Sequence, residues 1–101
     1  MAADTLNFQD FSTVNSHFTL PKTLASANVI APSGFLTLLT GDTVVKTITP
    51  PMTCVHMLAF KFAGVNGVDA TGNVNTAKAS VAGEVMLLVY DPISAKYWPV
   101  G

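Results

Sequence analysis

What most constrains this chain is its punctuation. From Ala27 onward, short runs rich in Val, Ile, Thr, Phe and Tyr alternate with Gly, Pro, Asn and Asp. "NVIA" meets Pro-Ser-Gly, "FLTLLT" meets Gly-Asp, "TVVKTIT" meets Pro-Pro, and "CVHMLAFKF" gives way to "AGVNGVDATGN". "VNTAKAS" then leads through Ala-Gly to "EVMLLVYD", and Asp91-Pro92 opens a turn before "KYWPV". β-Branched and aromatic side chains suit a pleated, half-buried surface, while Gly, Pro, Asn and Asp supply the backbone angles of turns. Glu84 is the single glutamate, and only one pair of opposite charges, Asp42 and Lys46, sits four residues apart, too little to support a long surface helix. The pattern predicts an all-β domain over residues 28–101, a small antiparallel sandwich or barrel-like fold.

Two of the runs differ in what they are expected to bury. Residues 55–62 alternate, with His56, Leu58, Phe60 and Phe62 on one face and Val55, Met57, Ala59 and Lys61 on the other. "VMLLVY" (85–90) does not alternate in polarity, so both its faces should be covered. The domain's own core supplies one cover, and a neighbouring subunit is a candidate for the other. Residues 47–60 and 77–90 are faintly similar, too few copies for a solenoid.

Residues 1–27 read differently. They are polar, with isolated apolar positions at Leu6, Phe8, Phe11, Val14, Phe18 and Leu20, and Pro21 breaks any helix begun there. The expectation is an extended N-terminal arm that packs on its own domain or on a neighbour; a short helix near residues 7–15 is the weaker option. The segment has neither the positive start nor the apolar run of a secretory signal. No stretch of the chain reaches the ~18 apolar residues of a membrane-spanning helix.

Composition sharpens the functional expectation. A domain of 101 residues has room for one core, yet 50% of the chain is hydrophobic and only 11% charged. Soluble domains average about 25% charged residues, so the apolar surplus suggests surface buried against other chains. The net charge is −1, and the five lysines are spread singly with no arginine among them. That pattern supplies neither the clustered cations of nucleic-acid binding nor the bidentate clamps of arginine. The single cysteine, Cys54, cannot form an internal disulfide.

No constellation of chemistry-bearing residues stands out. Cys54 and His56 fall on one side of a strand, but a structural zinc takes four ligands and the other histidine is His17 in the arm. The Gly-rich stretch 64–73 lacks the Lys-Ser/Thr of a phosphate loop and the repeated acids of a calcium loop. Its glycines fit a turn that needs positive φ. There is no Gly-x-Ser-x-Gly; Asp42 and Asp91 sit in turns, and Glu84 opens a strand. The expectation is therefore no catalytic residue, no metal, no cofactor and no small-molecule substrate: not an enzyme. Tyr90, Tyr97 and Trp98 are expected as packing or interface anchors, with a sugar-stacking platform as the rarer use of such aromatics.

Three stretches occur in a suggestive order: "GDTVVKTITPP", "VHMLAFKFAGV" and "GNVNTAKASVAGEVMLLVYDPISAKYWPV". From about Asp42 to Val100 they resemble β-rich modules of tailed-phage virion proteins, above all the C-terminal parts of tail fibres and spikes. The resemblance implies a trimeric β-structure whose apolar strands share a core. Read as a stand-alone protein without a shaft, the chain looks more like a capsid decoration (cement) protein. That implies a homotrimer assembled in the host cytoplasm and seated in the virion over junctions of the major capsid protein, with no nucleic-acid or membrane partner. The contacts expected on this basis are Phe8, Phe11 and Phe18 in the arm, and Leu88, Tyr90 and Trp98 in the β domain. The alternative is a tail fibre or spike tip that meets a host receptor or glycan through exposed aromatics and the loop 64–73.

Overall fold

A computed structural model describes residues 20–100. Phe8, Phe11 and Phe18 lie outside the described residues. Seven strands follow in chain order: β1 (Lys22–Ala25), β2 (Val29–Ile30), β3 (Leu36–Thr40), β4 (Thr47–Ile48), β5 (His56–Phe62), β6 (Val85–Asp91) and β7 (Lys96–Val100). No helix occurs among the described residues, so the all-β class read from the turn punctuation holds. β1 falls inside the stretch 1–27 read as an arm, because Lys22–Ala25 pair with Thr37–Thr40 of β3.

The strands build an open five-stranded sheet in the order β1-β3-β5-β6-β7 and a small sheet of β2 and β4. β1, β3 and β5 run parallel to one another, and β5, β6 and β7 run antiparallel. The domain is thus a mixed, open sheet, where the sequence suggested an antiparallel sandwich or barrel. The reason lies in the connections. Residues 26–35 and 41–55 each carry the chain to a second layer and back to the same end of the sheet, as parallel neighbours require. Here the crossovers hold β2 and β4 in place of helices, and those two strands also stack in parallel, Val29 beside Thr47 and Ile30 beside Ile48. From Lys22 to Phe62 the chain therefore winds as a flattened coil. β6 and β7 finish the sheet as an antiparallel pair joined by the tight turn 92–95. The faint similarity of 47–60 to 77–90 is not a structural repeat: β5 and β6 are antiparallel neighbours, with Leu58 opposite Leu88.

The core lies between the inner face of the large sheet and the second layer. β5 supplies His56, Leu58, Phe60 and Phe62 to it, the face expected from its alternation, and β6 supplies Met86, Leu88 and Tyr90. Ile30, Val45, Ile48, Val68 and Val74 close it from the other side. Each such side chain removed from water contributes roughly 1.5–3 kcal/mol before conformational entropy is set against it. The stretch 63–84 completes the second layer. Val68 bridges Val45 on one side and Lys78 on the other, and Val74 bridges Tyr97 at the sheet edge. Two glycines permit this close approach. Gly67 has φ of 61° and a Cβ there would strike the Lys78 carbonyl oxygen, while a Cβ on Gly72 would strike that of Lys46. Beside Gly72, the Asn73 side chain pairs with the backbone of Ile48, accepting its N–H at 2.8 Å and donating to its C=O at 2.7 Å.

Candidate functional site

The strand alternation of β5 brings one histidine inward, where it meets two tyrosines. The His56 ring stacks on Tyr90 with centroids 4.9 Å apart and meets the Tyr97 ring edge-on at 5.6 Å. Its Nδ1 lies 2.8 Å from the Cys54 carbonyl oxygen and its Nε2 lies 2.7 Å from the Tyr97 hydroxyl. A carbonyl can only accept, so Nδ1 carries the proton and Nε2 accepts from the Tyr97 O–H. Burial, with the neighbouring Tyr90 adding to it, pushes the Tyr97 phenol well above the usual tyrosine range, which keeps it a neutral donor. Both ring nitrogens are engaged, which leaves no lone pair for a metal beside Cys54. The cluster pins the start of β5 to the edge strand β7.

Two of the acids serve turns. Asp69 accepts from the N–H and hydroxyl of Thr71, and these bonds hold its carboxyl below the usual range. Asp91 accepts from the Ile93 N–H and the Ser94 hydroxyl, with the same effect. These are the backbone-capping roles expected of Asp in turns. Among the described residues no group of three His, Cys, Asp or Glu side chains converges as a metal site would require.

The outward face of the large sheet is the unusual feature. Strand register arranges its side chains in three rows. Leu36, Ala59, Leu87 and Val100 form the first; Met57, Val89 and Trp98 the second; Leu38, Lys61 and Val85 the third. Trp98 is 44% exposed, Val85 53%, Val100 47% and Met57 37%, while Leu36, Leu38, Leu87 and Val89 are half-buried. An antiparallel strand with one wet face normally shows polar residues there. β6 instead turns Val85, Leu87 and Val89 outward, and the cations of the face are Lys61 and, beyond Trp98 on β7, Lys96.

This geometry re-sorts the residues expected at an interface. Trp98 does face outward. Leu88 and Tyr90 do not: at 0% and 8% exposure they fill the chain's own core and offer almost no surface to a neighbour. Side-chain direction reverses at each strand position, so the outward apolar members of β6 are Val85, Leu87 and Val89. Sequence reasoning missed these three, together with Leu36, Leu38, Met57 and Val100. The available signal was parity with Trp98, which stands opposite Val89. Compared with known protein families, curated proteins and solved structures, the chain matches none.

Proposed function

We propose that this chain is a non-enzymatic structural protein of a phage virion, a capsid decoration protein that stabilises the head by burying its outward sheet face across capsomer junctions. The observation that carries this is the three-row apolar face of Leu36, Met57, Val85, Leu87, Val89, Trp98 and Val100. A contiguous apolar patch on a small domain marks an interaction surface, since each Å² removed from water contributes roughly 25 cal/mol. Three copies would meet at each junction, held against the major capsid protein. The mechanism is mass action: a protein that binds the assembled shell and not its dissociated subunits stabilises the shell by about 2.7 kcal/mol at a hundredfold excess over Kd. The test is to strip particles of the protein, add it back and follow shell disruption on heating. Re-addition should raise the disruption temperature in a saturable way; an unchanged temperature at saturating protein would sink the assignment.

A second reading is favoured by one observation, the half-exposed Trp98 on the sheet's edge strand. Such an indole stacks well on a sugar ring, as a tail fibre or spike tip would use it. Glycan-array binding that disappears in Trp98→Ala would support this use; a blank array with the wild-type chain would remove it.

A further inference from the structure

We propose that Asn66-Gly67 is a self-modification site, an asparagine able to cyclise onto the backbone of its successor, which the second layer of the fold holds shut. The proposal goes beyond the decoration reading and does not depend on what the outward face binds.

The chemistry needs only the chain and water. Asn-Gly occurs once in the sequence, at residues 66–67. Glycine has no side chain to shield its amide nitrogen or to restrict its backbone. When that nitrogen attacks the Asn66 Cγ, the N–Cγ bond forms and the Cγ–Nδ2 bond breaks. The Gly67 amide proton leaves with Nδ2 as ammonia. Water then opens the cyclic imide at either carbonyl, leaving aspartate or isoaspartate at position 66. No oxidant or reductant takes part.

The fold restrains all three reacting atoms. The nucleophile, the Gly67 N–H, is buried and donates to the Ser80 Oγ at 3.0 Å, and the Ser80 hydroxyl donates in turn to the Gly64 carbonyl at 2.7 Å. The leaving group, the Asn66 Nδ2, donates to the Thr43 carbonyl at 2.7 Å. The Asn66 Oδ1, where negative charge develops during attack, is buried with no hydrogen-bond partner among the described residues. An oxyanion without a donor is not stabilised. Nucleophile and leaving group are thus tied to two different segments, and cyclisation must wait for local opening.

Opening would have a one-way consequence. Isoaspartate routes the main chain through the former side chain and adds one carbon ahead of Gly67. Gly67 sits so close to the Lys78 carbonyl and the backbone of Ala79 and Ser80 that not even a Cβ fits. The longer backbone would unseat it, and with it the Val68 pairings to Val45 and Lys78 that hold this stretch on the core.

The experiment ages the full-length chain in mildly alkaline buffer, with and without urea. Deamidation at Asn66 is read by peptide mass spectrometry, with electron-transfer fragmentation to separate the two products. Each hydrogen bond that must be released lowers the open population roughly fivefold, so three of them slow the native chain about a hundredfold relative to the unfolded one. Ser80→Ala removes two of the three. Folded by circular dichroism, it should deamidate about thirtyfold faster than the native wild type, with the two rates equal in urea. A native wild-type rate equal to that in urea overturns the proposal, as does an absence of deamidation in urea. A folded Ser80→Ala that deamidates at the wild-type rate overturns it too. The wild-type comparison needs no variant, so it decides the matter even where Ser80→Ala does not fold.

Discussion

Asn73 is the side chain on which the two layers of this fold most clearly depend. Its amide oxygen accepts the Ile48 N–H at 2.8 Å and its amide nitrogen donates to the Ile48 carbonyl at 2.7 Å, so it pairs with β4 as a neighbouring strand would. Its own carbonyl accepts the Tyr97 N–H at 2.7 Å, which ties the same residue to β7. Asn73→Ala removes the two side-chain bonds and leaves the backbone bond in place. Each lost bond is worth about 0.5–1.5 kcal/mol, rising to about 1–3 where the abandoned group is out of reach of water. Ile48 is fully buried, so the sum falls at about 2–4 kcal/mol. Domains of this size stand only about 5–15 kcal/mol above the unfolded state, and each kcal/mol shifts Tm by about 4–8 °C. The melting point should fall by about 10–25 °C. Urea unfolding followed by Trp98 fluorescence gives the free energy directly. Asn75→Ala is the control: its side chain donates to the hydroxyl of the adjacent Thr76 in an exposed position, and the change should stay within about 0.5 kcal/mol. If Asn73→Ala also stayed within that margin, the amide would not be holding β4, and the reasoning would fail.

Other consequences are as specific. The Thr37 hydroxyl is fully buried without a hydrogen-bond partner, so Thr37→Val should raise stability by about 1 kcal/mol in the same urea assay; a loss would mean the hydroxyl is satisfied. Gly67→Ala combines a positive φ with collision against Lys78 and Ser80 backbone atoms and should cost about 3–5 kcal/mol. Gly83→Ala, with φ of 80° and open space around it, should cost only the left-handed strain of about 1–2 kcal/mol; equal losses at the two sites would remove the packing explanation. Asp69 and Asp91 have carboxyls held below their ordinary range in the fold. Their stabilisation is therefore complete above the unfolded carboxylate pKa, about 4, and is lost as pH falls through the lower folded values. Melting points measured from pH 6 down to pH 2 should fall less steeply for Asp69→Asn/Asp91→Asn than for the wild type; superimposable curves would contradict the assignment.

The strands were legible because their residues obey a local rule. β5 shows its inner face as His56, Leu58, Phe60 and Phe62 in simple alternation, and the turns after Thr40 and Asp91 carry Gly41 and Pro92 where the backbone reverses. Parallel pairing was not legible, since nothing in "KTLA" or "FLTLLT" specifies the direction of a neighbour; that is set by crossovers whose path depends on Ile30, Val45 and Ile48 finding the same core. β1 was hidden for a related reason. Four residues with one half-buried side chain, Leu24, form a strand only because β3 is already there to pair with. The interface fared similarly. The unbroken apolar run of β6 announced two covered faces but not which residues belonged to which, and that phase comes from register with β5 and β7. Asn73 looked like a turn residue because its role, pairing with Ile48 25 positions away, is tertiary.

The central claim is that the outward face makes the working contact, and co-sedimentation of the chain with stripped shells tests it most directly. Leu87→Gln/Val89→Gln changes two half-buried outward side chains and leaves the inward Leu88 and Tyr90 in place. Losing the burial of two such side chains at a contact forfeits roughly 3 kcal/mol, about a hundredfold in Kd. The expected result is a folded variant that leaves the shell pellet at concentrations where the wild type saturates it. A folded variant that saturates the shells at the same concentration as the wild type would contradict the account.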